Sequence, residues 1–200
     1  MLSNRSRLIL GSQSPRRKEI LNYFAIPFVQ IPSAFKEETV PYSGDPAKYV
    51  AELSLLKGKE LAARFSEDVI LTADTVVFFK EKIYNKPKDF GDAFAMLRDL
   101  SGNWHTVLTG VTIHAEGKVY SGYEETKILF NPLTDEQIHL YHRSSTFLDK
   151  AGGYALQGAG SILVSRIEGS HDNVVGLPIN TTKDLLLQAG IDLWKHLKPF

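Results

Sequence analysis

Leu8-Ile9-Leu10-Gly11-Ser12-Gln13-Ser14-Pro15-Arg16-Arg17 carries the chain from a short apolar run, through a glycine, into a helix-like segment. The apolar run reads as a buried strand, Ser14 is a favourable N-cap, and Pro15 suits the first helical position. Outward-pointing backbone N–H groups of the new helix would then lie beside Ser12. Two arginines in the first turn oppose the helix dipole, which a bound phosphate would offset. A capped helix with solvated arginines fits the same residues, so the pattern alone leaves both readings open.

Working outward, strands alternate with helices, without internal repeats or low-complexity segments, which places the chain in the α/β or α+β class. A first helix is expected over residues 15–24 and a strand over 28–31, followed by a polar loop over 33–44. Asp45-Pro46 marks the start of a long helix reaching about residue 65, with Tyr49, Leu53, Leu56 and Leu61 at helical spacing. Asp68-Val69-Ile70-Leu71 reads as a buried strand that presents Thr72-Ala73-Asp74-Thr75 at its carboxyl end before residues 76–79 resume the extended pattern. A turn at Glu81-Lys82, Lys86-Pro87, a helix over 89–100 closed by Gly102, and a hairpin of residues 106–114 and 118–129 joined at Glu116-Gly117 follow. A helix over 135–142, a glycine-rich turn region over 151–160, a strand over 162–167 and a final helix over 180–189 complete the pattern.

Composition narrows the function. Two hundred residues, 43% of them hydrophobic, can bury a sizeable core in one domain or two packed lobes. Lys and Arg total 23 against 23 Asp and Glu, so strong non-specific attraction to nucleic acid or anionic membrane is not expected. No apolar run reaches the ~18 residues of a membrane span, and Met1-Leu2-Ser3-Asn4-Arg5 leads toward a strand and not a secretory signal; a cytoplasmic protein is expected. The absence of cysteine removes disulfides, thiolate metal sites and cysteine nucleophiles.

Asp74 is the sharpest candidate, because a carboxylate between Val69-Ile70-Leu71 and Val76-Val77-Phe78-Phe79 needs a cation or hydrogen-bond donors to meet it. A turn-capping aspartate is the structural alternative. Glu37 and Glu38 on the polar loop, Lys57 in the long helix and Lys86 before Pro87 gain meaning only if they converge on Asp74. His139 and His142 lack a metal-binding companion and read as surface residues, while His105 is placed to position a loop or meet a ligand. No serine-hydrolase elbow, P-loop or supported dinucleotide fingerprint occurs.

Taken together, the chain resembles the Maf family of septum-formation inhibitor homologues and nucleotide pyrophosphatases. The resemblance rests on Ser12-Gln13-Ser14-Pro15-Arg16-Arg17 with Glu19, Glu37, Lys57, Ala73-Asp74-Thr75-Val76-Val77 and Lys86-Pro87. It continues through Leu100-Ser101-Gly102 before His105, Thr109-Gly110, residues 149–158 and residues 173–178, in the family's order over nearly the whole chain. It implies a mixed α/β fold with a long twisted sheet and flanking helices, a single domain over residues 1–200 whose two lobes flank a central cleft, as in Maf and ITPase proteins, and a homodimer. It further implies a nucleoside triphosphate pyrophosphatase that uses a divalent cation, Mg²⁺ or Mn²⁺. Tyr154 and Gln157, with Arg16 and Thr75, look like the branch acting on dTTP and UTP.

On that resemblance, Ser12, Ser14, Arg16, Arg17, Lys57 and Lys86 bind phosphate, Thr75 and Gln157 meet the base, Glu37 and Asp74 hold the metal, and Asp74 accepts a proton from water. Whether Asp74 serves mainly as base or as metal ligand stays open. Three departures from the family pattern stand out: Gly58 for alanine, Lys36 before the loop glutamates, which leaves Glu37 and Glu38 both eligible with Glu37 preferred, and Gly153 for alanine. The competing expectation is a nucleotide-binding regulator of cell division without significant turnover.

Overall fold

The computed structural model describes residues 7–199; the reading made on Met1-Leu2-Ser3-Asn4-Arg5 lies outside them. β1 (Leu8–Leu10) is fully buried and pairs in parallel with β2 (Phe28–Gln30) and with the start of β3 (Val69–Phe79). Parallel neighbours need crossovers, and α1 (Pro15–Leu21) and α2 (Pro46–Arg64) supply them. Both helices start as the sequence indicates: Ser14 Oγ accepts the Arg17 N–H, the Asp45 carboxylate accepts those of Ala47 and Lys48, and proline opens each helix. α1 stops at Leu21, three residues early. The polar loop holds a single 3-10 turn, Glu37–Thr39.

β3 corrects the sequence reading. It runs unbroken through Thr72-Ala73-Asp74-Thr75, so Asp74 lies in the middle of a strand and not beyond a carboxyl end. The polar residues are accommodated by buried hydrogen bonds: Thr72 Oγ1 donates to the Ser54 carbonyl at 2.7 Å. Lys80 and Glu81, both at positive φ (48° and 61°), then turn the chain into β4 (Lys82–Tyr84), a strand beyond those the sequence pattern indicates, which pairs antiparallel with β3.

α3 (Phe90–Leu100) is capped by Asp89. β5 (Trp104–Ala115) and β6 (Lys118–Phe130) meet at Glu116 and Gly117, whose successive positive φ values of 50° and 72° suit a tight hairpin. α4 (Asp135–Ser144) starts in a capping box of Thr134 and Gln137. β7 (Val164–Glu168) pairs antiparallel with β6. α5 (His171–Val175), a short helix beyond those the sequence pattern indicates, and α6 (Ile179–Gln188) follow. The seven strands form one mixed sheet in the order β2-β1-β3-β5-β6-β7, with β4 on β3, in agreement with the expected mixed α/β class.

The chain divides into two compact units. The described residues of the first are 7–74, 109–124 and 176–199. Here α2 packs so closely on β5 that a Cβ at Gly110 would lie 2.3 Å from the Val50 carbonyl oxygen. The second unit comprises 75–108 and 125–175. Its core joins Val77 and Phe79 of β3, Leu97 and Leu100 of α3, and Ile128 and Phe130 of β6. No helix among the described residues is long and apolar enough to cross a membrane.

Candidate active site

In the first unit, α2 and β3 bring Lys57 and Asp74 together inside the protein, at 8% and 6% exposure. The Lys57 ammonium donates to Asp74 Oδ1 and also lies 2.7 Å from Glu37 Oε1, which the 3-10 turn carries in. Lys57 is therefore not the surface lysine that composition alone favours. Glu37 is half-buried and Glu38 exposed, so the structure brings Glu37 to this cluster. Burial pushes the Asp74 carboxyl above its usual value; the Lys57 ammonium opposes that, and the neighbouring Glu37 carboxylate reinforces it.

The Ser12–Arg17 segment is tied down by its own side chains. Ser12 Oγ accepts the Ser14 N–H at 3.1 Å and Arg17 Nη1 at 3.3 Å. Arg17 Nε donates to the Gly176 carbonyl at 2.7 Å. Desolvation lowers the Arg17 pKa while Asp74 and Glu37 pull it back up, so the guanidinium senses both carboxylates. The N–H groups of Ser14 and Arg17 have acceptors within the chain, the Arg17 bond being the one expected of Ser14 as N-cap. Arg16 and Arg17 are both half-buried at this helix start. Sequence reasoning missed Gln30, whose Nε2 donates to the Ser12 and Ser14 carbonyls at 2.8 and 3.3 Å and fixes the loop. An amide at the end of a three-residue strand carries no signal by itself.

The second unit holds the other candidates. Thr75 is half-buried on β3, Lys86 is exposed before the buried Pro87, and Gln157 is half-buried between the 3-10 turns Ala151–Gly153 and Gly158–Leu163. The Gly152 N–H donates to the Asn85 carbonyl at 3.1 Å, which ties the Lys86 turn to the glycine-rich segment. His142, read as a surface residue, is buried, with Nε2 3.3 Å from the Gly153 carbonyl oxygen and the ring against Phe147. Its spacing of four from the buried Ile138 is the signal that could have placed it inward. His139 is exposed, as expected.

Residues 7–189 match the family described as Maf-like protein. The chain belongs to the Maf-like family. Among its relatives is a protein of Chlamydia felis named dTTP/UTP pyrophosphatase, 45% identical over 192 residues that span 96% of this chain and 98% of the relative. A Thermosipho africanus protein of the same name is 44% identical over 185 residues, 92% of this chain and 94% of that one. A Chlamydia muridarum relative, 38% identical over 193 residues, 96% of this chain and 98% of that one, is named nucleoside triphosphate pyrophosphatase.

Among the described residues of this Maf-like chain, no group of three or more His, Asp or Glu side chains is arranged to hold a metal. Two carboxylates do converge, since Glu37 and Asp74 share one ammonium. An all-oxygen pair of this kind fits Mg²⁺ or Mn²⁺, which keep several waters and take further oxygens from a substrate; it does not make a protein-only metal cage.

Proposed function

We propose that this Maf-like protein is a nucleoside triphosphate pyrophosphatase that cleaves dTTP and UTP between the α and β phosphates, releasing the nucleoside monophosphate and pyrophosphate. The observation that carries the reading is the buried Asp74 carboxylate held by Lys57 with Glu37 beside it. The relatives' names point the same way.

In this reading Asp74 accepts the proton of the attacking water. Lys57 holds one Asp74 oxygen in a fixed orientation and keeps the carboxylate ionised against its burial, so that the other oxygen can act as base. Ser12, Ser14, Arg16, Arg17 and Lys86 bind the phosphates, and the guanidinium groups offset the charge that builds on the departing pyrophosphate. Lys57 adds positive charge to the same group. The divalent cation, held by Glu37 and Asp74, supplies charge neutralisation at the phosphates when bound. Thr75 and the Gln157 amide, which can both donate and accept, meet the imide edge of thymine or uracil. The single-domain organisation, homodimer and cytoplasmic setting implied by the family resemblance belong to the same proposal.

Pyrophosphate release from a panel of nucleoside triphosphates, including 5-modified pyrimidines, with Mg²⁺, Mn²⁺ or a chelator tests it. Release from dTTP and UTP that the chelator abolishes is expected. Nucleotide binding with no release from any member of the panel would overturn the enzyme reading in favour of a nucleotide-binding regulator.

A further inference from the structure

His105 and Tyr154, both in the second unit, form a polar pair that the proposed chemistry does not use. Each is buried, and His105 Nε2 lies 2.8 Å from the Tyr154 hydroxyl. Phe130 stands edge-on to both rings, with centroids 4.6 and 4.8 Å away. Apolar rings would fill such a space without the desolvation cost of two polar groups, so the hydrogen bond contributes orientation more than packing. Both groups are uncharged near neutral pH: burial lowers the imidazole to about 4 and raises the phenol above its usual value.

What the pair orients is the segment that carries Gln157. Tyr154 follows two glycines at positive φ, Gly152 at 70° and Gly153 at 72°, and precedes the buried Leu156. The backbone around it is pinned from α4, where the Tyr141 hydroxyl accepts the Ala155 N–H at 3.0 Å and His142 meets the Gly153 carbonyl. It is also pinned from the Lys86 turn through the Gly152 N–H and Asn85 carbonyl. These bonds fix backbone atoms on either side of Tyr154. The bond to His105 holds the side chain itself and closes the set.

We propose that His105 is a positioning residue: through Tyr154 it sets the conformation of residues 154–157 and thereby the place of the Gln157 amide, which governs discrimination between pyrimidine bases. The inference rests on the pyrophosphatase reading and on Gln157 as the group that meets the base. Uracil presents an N3–H and O4 where cytosine presents a bare N3 and an amino group, so a displaced amide loses selectivity before it loses turnover.

The test uses His105→Phe, which keeps an aromatic ring, Tyr154→Phe, which removes one oxygen, and the double variant. Steady-state kinetics with UTP and CTP should show the UTP-to-CTP ratio of kcat/KM falling by about tenfold in each single variant, the scale of one misplaced hydrogen bond. The fall should come mainly through the KM for UTP, with the double variant no worse than the singles. Hydrogen exchange of the 154–157 amides should quicken in all three variants while exchange in the first unit stays unchanged. Equal loss of activity on both nucleotides, or unchanged exchange at 154–157, would overturn the proposal and leave the pair a packing feature. Should the unmodified protein release no pyrophosphate, the pyrophosphatase reading fails by itself. Positioning is then decided by hydrogen exchange and by the ratio of equilibrium affinities for UTP and CTP.

Discussion

Replacing Lys57 by methionine keeps most of the side-chain volume and removes the charge that two carboxylates share. Asp74 is the partner that matters, because its side chain is 8% exposed while that of Glu37 is 41% exposed and screened by water. Stranding one buried charge costs about 3 kcal/mol, the lower end of the usual range because Arg17 still acts on Asp74. The loss depends on pH with a definite sign. Without Lys57 the folded-state pKa of Asp74 rises further above its unfolded value, so the folded protein takes up a proton as pH falls. The penalty is therefore full above the folded pKa and shrinks toward about 1 kcal/mol or less near pH 4. Urea unfolding of the unmodified protein and Lys57→Met at pH 8 and pH 4 measures both values. A penalty below about 1 kcal/mol at pH 8, or one that does not change with pH, would refute the view that Lys57 compensates a buried Asp74 charge.

Two further predictions follow from close packing and from burial. Gly58→Ala should gain about 1 kcal/mol of helix propensity in α2. The added Cβ would nevertheless lie 2.5 Å from His114 Cδ2 and 2.9 Å from Thr72 Oγ1. Overpacking of that kind costs about 1–3 kcal/mol, so the urea midpoint should fall, and a rise would contradict the observed fit of His114. His105 has a folded pKa of about 4 against 6.5 unfolded, so the unfolded chain binds more protons between those values. This residue should then remove up to about 3 kcal/mol of stability as pH drops from 6.5 to 4. His105→Phe should flatten that part of the stability profile, and an unchanged slope would contradict the burial of a neutral imidazole.

Local signals carried the reading well wherever one short stretch decides a structure. Ser14-Pro15 and Asp45-Pro46 announced two helix starts, and Glu116-Gly117 announced the hairpin, because caps and tight turns are set by neighbouring residues. That Asp74 is a buried carboxylate met by a cation was legible for the same reason, as a carboxylate in apolar company. Its place in the middle of β3 was not, since a polar Thr72 in a strand is tolerated only through acceptors on α2 and β5 that sequence spacing cannot foresee. Lys57 looked ordinary until α2 carried it to Asp74, and Glu37 could not be separated from Glu38 until the 3-10 turn pointed one of them inward. Gly58 looked like a weakness in a helix, yet its missing Cβ makes room for His114. In each case the decisive partner is distant in sequence and near in space.

Asp74→Asn tests the central claim most directly, because it removes the proton acceptor at nearly constant size. Pyrophosphate release from UTP should be compared with equilibrium binding of a UTP analogue that cannot be cleaved between the α and β phosphates. The account predicts a fall in kcat of about 10²-fold or more, the usual contribution of a general base, with analogue affinity held within about tenfold. Turnover that survives the substitution within about tenfold would contradict the assignment of Asp74 as the group that activates water.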